Sequence, residues 1–196
     1  MARHKVARPL LGKPLVTILI SGEPLPMFLR RERPNDRAAI YAIHAAAFAR
    51  GDGRVAPEAH LVDGLRDDGD IVPACSIVAE NINELVGHVV CSRATVDGYP
   101  LLGLGPLGVL PSQQRRSVGD ALMHAVLAAA DALDVPAVVV LGDLGYYRRF
   151  GFELAKPIGV HSPQPEWAKH FQIRRLTAWA PTMGGTVRYA TAFDRL

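Results

Sequence analysis

Apolar positions recur along this chain in two rhythms. The helical rhythm is clearest over residues 117–133. There Val118, Ala121, Leu122, Ala125, Ala129 and Ala132 fall at i, i+3, i+4, i+7, i+11 and i+14, and Val135-Pro136 ends the pattern. Two shorter helical stripes precede it. One opens at Pro34-Asn35-Asp36 and runs through Phe48 with Ala39, Ile40, Ile43, Ala47 and Phe48 on one face; the other opens at Pro57-Glu58 with Leu61, Val62 and Leu65 inward. The strand rhythm appears in MFLRRER from Met27, then in ACSIVAEN, ELVGHVVCSRATV and LLGLGPLGVL. Turn signals at residues 81–83 and at Asp97-Gly98 predict that the last three form an antiparallel meander. AVVVLG from Ala137 is a continuous apolar run, as expected of a strand buried on both faces. A short helix around residues 146–150 and strands around 172–176 and 186–189 complete the pattern. The class is α+β: a mixed, mostly antiparallel sheet flanked by helices, in a single domain over residues 27–196.

Composition narrows the function classes. The chain has 196 residues, 49% hydrophobic and 21% charged, which suits one globular domain and excludes a disordered chain, a collagen-like repeat or a disulfide scaffold. The sequence pI of about 9.1 suggests a nucleic-acid partner. However, residues 1–26 carry four basic residues against Glu23 alone, and the rest of the chain holds 18 of each sign. The body is neutral, so no nucleic acid is expected. Residues 1–26 read as a basic, disordered extension whose apolar run at 15–20 is far short of the roughly 18–20 residues that span a bilayer, so no membrane partner is expected. Cys75 and Cys91 lie in apolar strand-like runs and read as buried free thiols, consistent with a cytoplasmic protein.

Several motifs fail on context. Gly103-Leu104-Gly105-Pro106-Leu107-Gly108 matches GxGxxG, but a strand continues after it where a dinucleotide site needs a helix start. His44, His88 and His124 have no metal-ligand spacing and read as structural; no metal is expected. Chemistry is better carried by residues 107–120, L-G-V-L-P-S-Q-Q-R-R-S-V-G-D, which run from a strand through a polar loop into the strongest helix. Unpaired N–H groups and the helix dipole there, with Arg115 and Arg116, suit a pyrophosphate; a solvated turn before an ordinary helix accounts for the same residues equally well.

The stretch resembles the Gcn5-related N-acetyltransferase (GNAT) family. In that family a strand ending V-x-P is followed by [QR]-x-x-G-x-[GA] at a helix start. Here Val109-Leu110-Pro111 precedes Gln114, Arg115, Arg116, Ser117, Val118 and Gly119, with Ser117 in place of the middle glycine. Downstream, Gly142-Asp143-Leu144-Gly145-Tyr146-Tyr147-Arg148-Arg149-Phe150-Gly151-Phe152 is similar to the family's Y-x-x-x-G-F, in the version of the bacterial YhbS-like subgroup.

The resemblance implies a sheet with a V-shaped splay, acetyl-CoA as cosubstrate, and acetyl transfer to a primary amine by direct attack. It implies cofactor binding by Leu107, Gly108, Val109, Gln114, Arg115, Arg116, Ser117, Val118, Gly119, Asp120 and Tyr147. The Val109 N–H would hold the oxyanion and Tyr147 would protonate the thiolate, with Tyr146 as the competing phenol. A homodimer is the family-based expectation, and the acceptor is a small-molecule or peptide amine. Glu32, Glu80 and His88 could each be proposed as the general base, but each reads better as a surface or structural residue, and no base is assigned. The rival reading is a catalytically inactive CoA-binding sensor or interaction protein, which Ser117 favours.

Overall fold

Strand alternation and three helical stripes place the chain's elements in a fixed order, seen here in a computed structural model that describes residues 15–20, 23–51, 53–82 and 84–195, with side chains from Pro26 onward. The order is β1 (Leu15–Ile20), β2 (Glu23–Arg31), α1 (Arg37–Ala47), α2 (Pro57–Asp67), β3 (Ile71–Glu80), β4 (Leu85–Val96), β5 (Tyr99–Val109), α3 (Val118–Asp131), β6 (Ala137–Leu141), α4 (Leu144–Arg148), β7 (Glu153–Leu154), β8 (Val160–His161), β9 (Phe171–Arg175) and β10 (Gly185–Tyr189). Among the described residues the sheet runs β1-β2-β3-β4-β5-β6-β9-β7, with β10 also on β4 and β8 on β10. All neighbouring pairs are antiparallel except β5–β6 and β8–β10. This is the mixed, mostly antiparallel α+β sheet that the pattern predicts.

The beginning of the chain differs in detail. Residues 15–26 fall within the segment expected to be an extension, yet Leu15–Ile20 pairs with β2 from Leu15↔Phe28 to Ile20↔Glu23. The boundary drawn at Met27 therefore falls inside β2. The β-branched residues Val16, Thr17, Ile18 and Ile20 favour a strand there. Residues 1–14 lie outside the described residues.

The two faces of the sheet sort the helices. Cys75, Ile77 and Ala79 of β3 pack with Leu122, Met123, Val126 and Ala130 of α3, whereas Val78 and Val90 pack with Ile40 of α1 and Val62 of α2. Alternation along β3 thus assigns α3 to one face and α1 and α2 to the other. Each fully buried aliphatic side chain contributes about 1.5–3 kcal/mol, so α3 is anchored along its length and its N-terminus is held in place.

That N-terminus sits where the sheet opens. β5 and β6 pair only at Leu102↔Val138 and Gly103↔Val139. Beyond this β5 continues to Val109 and β6 to Leu141 without pairing, which forms the V-shaped splay. The GxGxxG glycines lie wholly within β5. Cys75 and Cys91 are buried free thiols. No helix among the described residues is long and apolar enough to cross a membrane.

Candidate active site

The loop after β5 is built to present backbone N–H groups. Pro111–Gln113 form one 3-10 turn. The Gln114 side chain then donates to the Val109 carbonyl (3.1 Å), tying the loop to the strand end. Arg115 and Ser117 both adopt left-handed backbone, with φ of 59° and 58°. Ser117 therefore takes the conformation that a glycine would supply at this position, at a cost of about 1–2 kcal/mol for an L-residue. Its hydroxyl makes no cap to α3. Among the described residues the N–H groups of residues 115–120 have no backbone acceptor, and they gather at the helix start.

The loop opens onto a cleft of about 800 Å³ between the splayed strands. Of the residues expected at a cofactor site, the cleft is lined by Leu107, Val109, Gln114, Arg115, Ser117, Gly119, Asp120 and Tyr147. Three others are placed elsewhere. Val118 is buried in the core under α3, and Arg116 is half-buried outside the lining. Gly108 faces α1: a Cβ on it would lie 2.7 Å from His44 Nδ1, so glycine here makes room for the imidazole rather than for a ligand. The Leu110 N–H bonds to Val86 O of β4 (2.9 Å), so by strand alternation the Val109 N–H points to the opposite edge, into the splay.

The tyrosine motif can be decoded residue by residue. Asp143 Oδ1 accepts from the Tyr146 N–H (2.6 Å) and caps α4. Gly151 adopts φ 76° to end the turn, and Phe150 and Phe152 enter the core. Gly142 lies directly under the Tyr147 ring, where a Cβ would meet Cδ2 at 3.1 Å and Cε2 closer still. The Tyr147 ring is braced edge-on by Tyr146 (5.0 Å) and Phe152 (5.6 Å). Burial, with smaller contributions from Tyr146 and Cys91, pushes the Tyr147 phenol up to about 12, so it is a protonated donor at neutral pH. Tyr146 also lines the cleft, and its hydroxyl reaches over Gly119, where a Cβ would meet it at 2.8 Å.

Residues that sequence reasoning missed complete the cleft. Ala47 and Phe48 come from the end of α1, and Arg149 from just past α4. Arg149 pairs with Asp120 (3.2 Å) and lies over the Tyr146 ring (4.7 Å), which neutralises the acidic charge at the helix start. The sequence shows Arg149 directly before Phe150-Gly151-Phe152, but nothing in it marks Asp120, 29 residues away, as its partner.

None of the open base candidates lines the cleft. Glu80 pairs with Arg30 (2.7 Å). Glu32 is bound by Arg66 (3.2 Å) and by the Ser76 hydroxyl (2.5 Å). His88 Nε2 reaches Ser76 Oγ (3.0 Å), and its Nδ1 reaches His44 Nε2 (2.8 Å). Because Ser76 donates to Glu32, it accepts from His88 Nε2–H, and His88 Nδ1 then accepts from His44 Nε2–H. This leaves His44 Nδ1 as a buried acceptor without a partner among the described residues. Burial, then the neighbouring His88 and Arg66, lowers His44 well below its ordinary value; burial also lowers His88, against the opposing pull of Glu32. Both histidines are neutral structural groups. Among the described residues no group of three or more His, Cys, Asp or Glu is placed to hold a metal.

A second chamber of about 600 Å³ lies on the other side of the splay and shares Phe48, Leu107, Leu141 and Tyr147 with the cleft. Its vertex is closed by Tyr189, whose ring packs where a Cβ on Gly103 would fall (2.6 Å).

Splayed parallel strands, an amide-lined helix start at their mouth and a half-buried phenol between them meet at one cleft. The chain matches the Acetyltransferase (GNAT) family over residues 37–152, more than half its length, and belongs to that family. YjhQ of Escherichia coli K12, described as an uncharacterized N-acetyltransferase, is 33% identical over 164 residues, covering 80% of this chain and 88% of that protein. YhbS of the same organism, described likewise, is 31% identical over 172 residues, covering 86% and 99%. The crystal structure of Escherichia coli YhbS in complex with CoA matches with a TM-score of 0.80 at 30% identity, covering 91% of this chain and 97% of that one. A GNAT family acetyltransferase from Brucella melitensis, in complex with acetyl-CoA, matches at 0.71 and 34% identity, covering 86% and 98%.

Proposed function

We propose that the protein transfers the acetyl group of acetyl-CoA to a primary amine by direct attack. The observation that carries this reading is the placement of eight expected site residues around one cleft, between unpaired strands and the start of α3. The residues fit the cosubstrate. The N–H groups of residues 115–120 and Arg115 suit the pyrophosphate, and Asp120 does not oppose it because Arg149 holds its charge. The free edges of β5 and β6 offer peptide groups to the pantetheine amides.

Val109 and Tyr147 have separate tasks in this reading. The Val109 N–H, aimed into the splay, stabilises the oxyanion that develops on the thioester carbonyl. Tyr147, protonated and held by its neighbours, donates to the sulfur as it leaves. Holding the amine and thioester at near-attack distance contributes most, up to about 7–11 kcal/mol in well-oriented systems. The similar structures with CoA and acetyl-CoA support the cosubstrate assignment.

The test is an amine panel with acetyl-CoA, read by thiol release and by mass spectrometry of the product. Acetylated amine in stoichiometric ratio to released thiol is expected. CoA binding without any acetylated product would favour the inactive CoA-binding protein instead.

A further inference from the structure

We infer that the acceptor is a small primary amine with a flat apolar body, bound as its cation against Glu58 in the second chamber. This rests on the acetyl-transfer reading and names the substrate class of the same site.

The chamber meets the CoA cleft at Leu107 and Tyr147, where the thioester would lie. An amine seated in the chamber therefore approaches the acyl carbon from the side opposite the pyrophosphate loop. The bound ammonium first gives one proton to the Glu58 carboxylate, and its freed lone pair forms the N–C bond as the C–S bond breaks. The sulfur takes its proton from Tyr147, and the amide nitrogen's surplus proton returns to the Tyr147 oxygen. The chamber walls are largely apolar and aromatic, with Phe48, Trp167, Tyr189 and Phe193 prominent. Such walls are well matched by a flat hydrocarbon body, and their ring faces also attract a cation. A peptide would bring several amide groups that each need a partner, and the uncharged polar side-chain groups of the lining are the Gln164 amide, the Tyr147 and Tyr189 hydroxyls and the Trp167 N–H.

Glu58 supplies the charge. It lies in the first turn of α2 and lines the chamber. One of its carboxylate oxygens stands 3.7 Å from Arg50, whose side chain is 63% exposed. The other oxygen is buried and has no hydrogen-bond partner among the described residues. That oxygen is covered by the protein, so an ammonium group in the chamber reaches it when the Glu58 side chain turns, and then supplies the donor that the buried carboxylate oxygen lacks. Asp194 adds a second negative charge to the lining. The same two carboxylates repel an acceptor that carries its own carboxylate, so free amino acids are disfavoured.

The test is calorimetry on the full chain, first with CoA and then, at CoA saturation, with 2-phenylethylamine, phenylalanine and ethanolamine. Expected are 2-phenylethylamine binding at least tenfold tighter than either of the others, and a tenfold or greater loss in Glu58→Gln at unchanged CoA affinity and melting temperature. Equal affinities for the three amines, absent amine binding, or no effect of Glu58→Gln would overturn the acceptor assignment while leaving the acetyltransferase reading in place. Absence of CoA binding would overturn both.

Discussion

Gly142→Ala is the sharpest probe of the Tyr147 assignment, because it leaves every candidate chemical group intact. The added methyl would lie 3.1 Å from Tyr147 Cδ2 and nearer to Cε2. Ordinary carbon contacts sit at about 3.5–4.0 Å, so the ring edge must retreat by about 1 Å or more. The strand end cannot yield instead. The Gly142 N–H donates to His170 O (3.1 Å), and its carbonyl accepts from the buried Gln172 side chain (3.1 Å). The ring is confined in turn by Tyr146 and Phe152. Overpacking of this kind costs about 1–3 kcal/mol, and about 2–4 °C of melting temperature follows per kcal/mol in a chain of this size. Displacing a catalytic group by 1 Å can cost about 100-fold in rate. With an accepted amine from the panel, Gly142→Ala should lower kcat/KM about 100-fold, with CoA affinity nearly kept and the melting temperature several degrees down. In the Tyr147→Ala background the same change should cost nothing further, since the ring it strikes is gone. Wild-type turnover in folded Gly142→Ala, or an undiminished loss in the Tyr147→Ala background, would refute the reasoning.

Three further outcomes are expected. Tyr147→Phe should keep CoA affinity and lower kcat roughly 10–1,000-fold, with Tyr146→Phe costing much less; because the phenol is pushed up to about 12, the wild-type rate should show no titration of Tyr147 below about pH 10. Gly119→Asp should impair CoA binding by calorimetry, since its side chain meets the Tyr146 hydroxyl and adds negative charge beside Asp120; Arg115→Ala should weaken binding less because the backbone amides remain. Stability measured by urea unfolding should fall from pH 7.5 to 5.5. His44 and His88 are lowered in the fold, so the unfolded chain takes up their protons first below about 6.5, with a slope approaching about 1.4 kcal/mol per pH unit for each histidine. A flat profile would show that the buried pair is protonated in the fold.

What was legible in the chain follows the range of the interactions. The α3 stripe, the meander and the apolar β6 run are local patterns, and each element lies within a few residues of its expected place. GxGxxG was rejected on local context alone, and the glycines do lie within a strand. Long-range pairings were not readable. Arg149 meets Asp120 across the cleft, and Ser76, His88 and His44 join three elements in a hydrogen-bonded chain that ends on Glu32 and that no spacing rule marks. Gly108 and Gly103 show why. Their roles are set by a histidine and a tyrosine 64 and 86 residues away in sequence, so a motif position alone does not tell a ligand-facing glycine from one that admits a side chain. In the sequence Glu58, like Asp52 and Glu166, suits a cationic amine and a solvated surface equally well; only the packing of α2 puts Glu58 in the chamber lining and covers one of its oxygens.

The central claim is tested most directly by a crystal structure of the full chain with CoA. The account predicts the pyrophosphate on the N–H groups of residues 115–120, the pantetheine between β5 and β6, and the sulfur within hydrogen-bond reach of the Tyr147 hydroxyl. CoA bound outside the splay, or in it with the sulfur turned away from Tyr147 and the Val109 N–H, would contradict it.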